Sequence, residues 1–403
     1  MIAVLVVGGA LLAPLNLLIV RSLTVYDLLI GLAFLMLAHR RALRMPARHY
    51  QLVCYVFVVA ALLSAFRATY ASEALTQILQ YLFVFFVQVP TVVSVVRTRR
   101  LALWSVALLC VGTLAAILHA YITHPTQGAG RVLVFYSDNP NRLGYPVVYL
   151  LPMLFVLWHA SRRRGLVAVP VLGSAYLCIW ALFASGSRSS VLGSVVSVLV
   201  FFVARPGLRL RTMLVRVLVL AAVVGVVGVG LATAGALPTT LEDRVNRSLD
   251  SDPEDQHGLV GDREALVVAG LRASVASPWI GSGLDNFRYV TTDYYLGATP
   301  QLPHNLWLQL MVQVGAIGTL ALGLYLLFWA SDLVRGYRHA GPRDRHLLWS
   351  LFASMSGILT IFLFAPEMLD RHYWLIFALG LAVVEGSLRG GRPPSPRLEE
   401  ARR

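Results

Sequence analysis

Charged residues are scarce in this chain: they make up 13% of its 403 residues, against 57% hydrophobic, and the mean hydropathy is +0.70. That balance excludes a water-soluble fold, because too little polar surface is available to cover an apolar core of this size. Lysine is absent altogether, so the basic residues are all arginine, a bias that reflects genome composition and not function. The three cysteines, Cys54, Cys110 and Cys178, all stand inside apolar stretches, which excludes a disulfide framework and a paired-cysteine metal site. Residues 1–20 lack a basic leader and run straight into a second apolar stretch, so they are expected to form a first membrane helix and not a cleaved signal peptide.

What remains is a set of apolar runs long enough to cross roughly 30 Å of hydrocarbon. They lie near 2–20, 23–38, 50–66, 74–96, 101–122, 143–159, 166–185, 189–204, 211–236, 304–330, 347–365 and 371–388. The expected fold class is therefore all-α: a polytopic membrane protein with about twelve transmembrane helices. Clusters of arginine follow every second run, at 39–48, 97–100, 161–164, 205–211, 335–345 and from Arg389 onward. Positive connections stay in the cytoplasm, so both termini are expected there. The net charge of +14 sits in these short flanking loops, where it serves topology and anionic lipid contact and not nucleic-acid binding. Four regions follow: nine membrane helices over 1–236, a large external loop over 237–303, three further helices over 304–388 and a basic cytoplasmic tail over 389–403.

The loop carries the clearest helix signals of a soluble type. "TTLEDRVNRSL" (239–249) offers Thr239 or Thr240 as a cap with acids in the first turn, and "GDREALVVAGLRASVAS" (261–277) offers Asp262 as an N-cap. The second helix is expected to break at Pro278 and the turn "GSG" (281–283), giving two short helices lying over the membrane. Three polar features share that side. Arg188 is central to the hydroxyl-rich turn "ASGSRSS" (184–190), Arg263 falls in the expected first turn of a loop helix, and His304 opens the tenth run behind Pro303. A helix N-terminus with free N–H groups favours an anion, and two guanidiniums beside an imidazole suit a phosphate or diphosphate. Singly, each has an ordinary explanation: snorkelling for Arg188, a solvated charge for Arg263, a tolerated interfacial histidine for His304.

Together with their neighbours they resemble a family. "PHNLWLQLMVQVGAIGTLALGLYL" (303–326) resembles the His-Asn motif of the O-antigen ligase and polysaccharide polymerase superfamily, matched by His304, Asn305, Leu308, Gln309, Gly315, Ile317 and Gly318. Upstream, "GDREALVVAGLRASVASPWIGSGLDNF" (261–287) resembles that family's loop segment, "SGSRSS" (185–190) its Ser-Arg motif and "SDNPNRLG" (137–144) its Asn-Pro-Asn element. The resemblance implies a membrane glycosyltransferase that moves a glycan from undecaprenyl diphosphate to an acceptor hydroxyl, such as lipid A-core or another glycan, on the periplasmic face of the bacterial inner membrane. It implies functional roles for Arg188, Arg263 and His304; Asn305 at the helix N-terminus, and Arg131 and Arg142 on the other long external loop, are further candidates for glycan or phosphate contact by their position. The arginines can stabilise a leaving diphosphate, and His304 either takes the acceptor hydroxyl's proton, as a base with an ordinary pKa near 6.5 suits, or hydrogen-bonds the phosphates. A metal-independent, single-displacement route would invert the anomeric centre, and neither cofactor nor metal is expected. Asp250-Ser-Asp252 is formally a D-x-D, but it stands in the acidic run "LDSDPEDQ" with no nucleotide-binding domain around it. Two alternatives stay open: a polymerase joining lipid-linked repeat units, and a transporter of the lipid-linked glycan, against which the one-sided placement of polar residues argues.

Overall fold

The computed structural model describes residues 1–20, 22–127, 131–161, 164–203, 212, 215, 253–294, 302–366 and 368–390. These residues form a mostly helical bundle, in the order α1 (Ile2–Leu12), α2 (Val25–His39), α3 (Arg48–Ala65), α4 (Ala71–Leu82), α5 (Val89–Val95), α6 (Arg99–Thr123), α7 (Asn141–Gly144), α8 (Val147–Ala160), α9 (Arg164–Ser185) and α10 (Arg188–Phe202). After the loop region come α11 (Pro253–Ala276), α12 (Phe287–Val290), α13 (Leu306–His339), α14 (Pro342–Phe362) and α15 (Arg371–Gly390). Among the described residues, five helical stretches are long and apolar enough by themselves to cross a membrane: Arg48–Ala65, Ala71–Val95, Arg99–Thr123, Asn141–Ala160 and Leu306–His339. The chain is a multi-pass membrane protein. The runs expected at 23–38, 166–185 and 189–204 appear as shorter apolar helices, those at 347–365 and 371–388 as α14 and α15, and 211–236 lies almost entirely outside the described residues.

Two expectations need correcting. The run 2–20 is not one helix: a single 3-10 turn over Ala13–Leu15 follows α1, Asn16 takes a left-handed φ of 44°, and the chain then pairs as a short hairpin, Leu18–Val20 with Leu23–Thr24. A second small hairpin joins Thr126–Gln127 to Arg131–Val132, so the fold is not purely α. Both hairpins sit in connections between helices, where backbone groups released from a helix must find partners.

The connections sort into two ends. At one end, Arg44 N donates to Ser94 Oγ (2.7 Å), Arg99 pairs with Asp344 (3.3 Å), Tyr50 Oη donates to Asp332 (2.8 Å) and Trp349 Nε1 donates to Val200 O (3.0 Å). At the other, Arg371 pairs with Asp27 (2.7 Å), Asn286 holds Tyr70, Arg131 holds Ser185 and Arg142 pairs with Asp370. This alternation follows the arginine-rich and arginine-poor connections of the sequence. Between the ends, side-chain volume decides the packing, since lipid gives apolar helices no hydrophobic reason to associate. Gly193 of α10 and Gly357 of α14 meet closely enough that a Cβ on Gly357 would stand 2.6 Å from Gly193 O. Gly380 of α15 leaves room for the Trp329 ring, whose Nε1 donates to Phe377 O (2.9 Å). Phe57 meets Tyr81 and Phe85 edge to face, Phe85 meets Trp374 in the same way, and the Tyr325 ring lies tilted against Phe85.

Candidate functional site

The Ser-Arg turn is built from its own hydroxyls. Between α9 and α10, Gly186 takes φ +57°, Ser187 N donates to Ser185 Oγ (3.3 Å), and Ser187 Oγ caps α10 by accepting from Ser190 N (3.3 Å). Arg188 is therefore the first residue of α10, with its side chain exposed. Against this turn packs the Asn-Pro-Asn element, itself tied by Asn141 N donating to Asn139 Oδ1 (3.0 Å). Gly144 fits there because a Cβ would stand 2.6 Å from Ser185 Oγ and 2.7 Å from Ser190 Oγ. Arg131, on the 126–132 hairpin, joins the pieces: its Nε donates to Ser185 O (2.7 Å) at the C-terminus of α9, and its guanidinium also donates to Asn141 Oδ1. A cation on the last carbonyls of a helix satisfies groups that have no intrahelical acceptor role left. Arg142 turns to Asp370 (3.5 Å), both partly buried.

The loop helix differs from its expected form. It runs from Pro253 to Ala276, so Asp262 is an interior residue and not its cap; the cap role is lost because proline, which needs no N–H partner, already opens the helix at Pro253. Arg263 consequently lies in the middle of α11 and not in its first turn, far from the helix dipole's positive end. The described residues show one long helix in this stretch; the other expected one, 239–249, falls outside them, as do Asp250, Asp252 and the side chain of Arg263. One turn beyond Arg263, Leu266 begins a buried cluster with Ala273, Phe287 and Val312, against which Leu302 and Leu308 pack. Arg263's helix and the His304 segment thus share one small core.

α13 begins with Asn305 as N-cap, its Oδ1 accepting from Leu308 N (3.0 Å), so that oxygen is committed to the helix. His304, immediately before the cap, is exposed behind buried Pro303. Farther along, α13 is broken: Gly315 has φ 65° and ψ −172°. The turn after α11 fills the break. Ser282 N and Gly283 N donate to Val312 O and Gln313 O (both 2.9 Å), while Ala316 N and Ile317 N donate to Pro278 O (2.7 Å) and Trp279 O (3.3 Å). Carbonyls and amides freed by the break are thereby satisfied, a requirement for any irregular backbone at membrane depth. A Cβ on Gly281 would meet the Gln313 backbone and one on Gly315 would meet Trp279 and Ile280, which is why glycine stands at each.

Residues 173–323 match the family model described as O-antigen ligase. The interval includes the Ser-Arg turn, α11, the Gly-x-Gly turn, His304 and the broken start of α13. Over this interval the chain is similar to the O-antigen ligase family. A comparison with curated proteins returns no match.

Among these segments, direct hydrogen bonds bring Arg131 to the Arg188 turn and to the Asn141–Arg142 element, and the small apolar core brings α11 to the start of α13. Both groups stand at the same end of the bundle. Sequence reasoning missed the supports. Asn286 is fully buried: its Oδ1 accepts from Tyr70 N (2.8 Å), and its Nδ2 donates to Tyr70 O (3.2 Å) and Leu284 O (2.8 Å), pinning the loop to the α3–α4 connection. Tyr289 Oη donates to Glu73 Oε1 (3.1 Å) in the same seam. Burial pushes the neighbouring Asp285 carboxyl above its ordinary range, and Arg288 beside it pulls it part of the way back. The buried pair Asp27–Arg371 is the other support: Asp27 closes a capping box with Thr24 while its second oxygen accepts from Arg371 Nε (2.7 Å). The motif Asn286-Phe287 was a visible signal; nothing local in sequence could join Asp27 to Arg371.

Proposed function

We propose that this protein is an O-antigen ligase-type glycosyltransferase of the bacterial inner membrane, acting at its periplasmic face without a metal ion. The donor is a glycan on undecaprenyl diphosphate and the acceptor a hydroxyl of lipid A-core or a similar glycan. Arg188 and Arg263 hold the diphosphate and stabilise the charge that develops on it as the anomeric C–O bond breaks. His304 takes the proton of the attacking hydroxyl, so the electron pair of the broken bond leaves with the diphosphate and the new glycosidic bond inverts the anomeric centre. Asn305, Arg131 and Arg142 contact glycan or phosphate in this reading. Arg131 and Arg142 also have structural partners at Ser185 and Asp370, so their effects on transfer include alignment of the Ser-Arg turn.

The observation that carries the reading is the gathering of the family-matched segments at one end of the bundle: the Ser-Arg turn, α11 and the His304 start of α13. A transporter would be expected to spread ionisable groups along a path through the bilayer instead. The test is transfer by purified protein in detergent with chelator, using undecaprenyl-diphosphate glycan, with lipid A-core in one reaction and no acceptor in the other. A product on lipid A-core that falls at least a hundredfold in His304→Ala and Arg263→Ala supports the ligase. Longer lipid-linked glycans made without acceptor would identify a polymerase, and unchanged turnover in both variants would reject the site.

A further inference from the structure

α11 has an apolar face that no other described element covers. Its inward side is Leu266, Ala269 and Ala273, buried against the α13 entry, with Gly270 letting it approach Leu308 to within van der Waals contact. Its outward side carries Val267, Val268, Leu271 and Val275, on one helical face, followed by Trp279; Val275 is 79% and Trp279 67% exposed. In water such a stripe would be unfavourable and unusual.

What lies beside it decides the occupant. α13 presents an exposed apolar stripe, Ile317, Leu320, Leu324 and Leu327, of the kind a transmembrane helix turns toward lipid. That stripe starts only at Ile317, because Leu308 and Val312, which would continue it outward, are covered by α11. The two stripes meet at Trp279, whose carbonyl accepts from Ile317 N. At 1.5 Å per residue, the α13 stripe extends about 15 Å and the α11 stripe about 12 Å, together approaching the ~30 Å of a bilayer's hydrocarbon. Arg272, exposed at the stripe's edge, has a side chain long enough to reach the phosphate layer.

We propose that the outward face of α11, from Val267 to Trp279, is embedded in the acyl chains of the outer half of the bilayer and replaces the outer part of α13 as the lipid-facing wall. The large loop is then partly an intramembrane element, with position 263 one helical turn before the stripe. This inference holds whether or not the transfer reaction does.

Tryptophan quenching in nanodiscs tests it. The Trp279 signal is obtained as the difference between wild type and Trp279→Phe, and phospholipids with brominated acyl chains should remove more than half of it relative to unbrominated lipid. In parallel, Val275→Cys in intact membranes should react with an impermeant maleimide at least tenfold more slowly than Asp138→Cys, an exposed external position, the three native cysteines being buried. Equal reactivity at the two positions would place the face in water and overturn the proposal. Protection of Val275→Cys without quenching of Trp279 would mean a protein cover, from a second copy or another part of this chain, and would overturn it equally.

Discussion

The two ends of the bundle use charge in opposite ways. At the arginine-rich end, ion pairs such as Arg99–Asp344 and Arg335–Asp332 are partly exposed and join neighbouring helix ends. At the other end, Asp27 and Arg371 are buried, Arg142 and Asp370 partly so, and the loop is locked by Asn286 and by glycines set into a broken helix. Charges of the first kind decide which way the chain crosses the membrane and contribute little to its stability. Those of the second kind fix the geometry of segments far apart in sequence, and removing one partner leaves a buried charge or an unpaired backbone group.

Substitutions at the two ends should therefore differ most where the buried backbone is tightest. Gly315→Val puts a β-branched residue at a positive φ against the Trp279 backbone, and should cost more than about 4 kcal/mol. The expected result is loss of monodisperse protein in size-exclusion chromatography; a well-folded variant would show that the loop does not depend on the break. Asp27→Ala comes next, with a loss of about 3–5 kcal/mol in thermal unfolding, because it strands the Arg371 guanidinium. The double variant Asp27→Leu with Arg371→Met should recover most of that loss, and failure to recover would point to a role beyond the pair. Asn286→Ala should cost about 1–3 kcal/mol and raise hydrogen exchange in 278–290 before elsewhere. The smallest effect belongs to the opposite end: Arg99→Ala should change stability by no more than about 0.5 kcal/mol and leave transfer intact, since its pair is about one-third exposed. A large effect there would erase the distinction between the ends.

Several features were legible beforehand. The boundaries of α3, α6, α8 and α10 fall within a few residues of the apolar runs, because hydropathy and arginine flanks both respond to the bilayer. The break after α11 could be read from Pro278 and the two glycines of "GSG". Its counterpart could not: Gly315 stands in "VQVGAIG", which reads as uninterrupted helix. The start of α11 was misread for a related reason, since Asp262 looks like a cap only until Pro253 is seen to open the same helix nine residues earlier.

The sequence by itself determined that the chain is a multi-pass membrane protein, how its connections alternate between two ends, and which motifs resemble those of the ligase family, because each of these follows from local composition or short spacing. The tertiary structure alone decided that the loop's Gly-x-Gly turn completes the hydrogen bonds of a broken α13, that Arg131 anchors the Ser-Arg turn, and that Asp27 meets Arg371. Those contacts join residues tens to hundreds of positions apart, and only packing in three dimensions, where each buried polar group must find a partner, selects them.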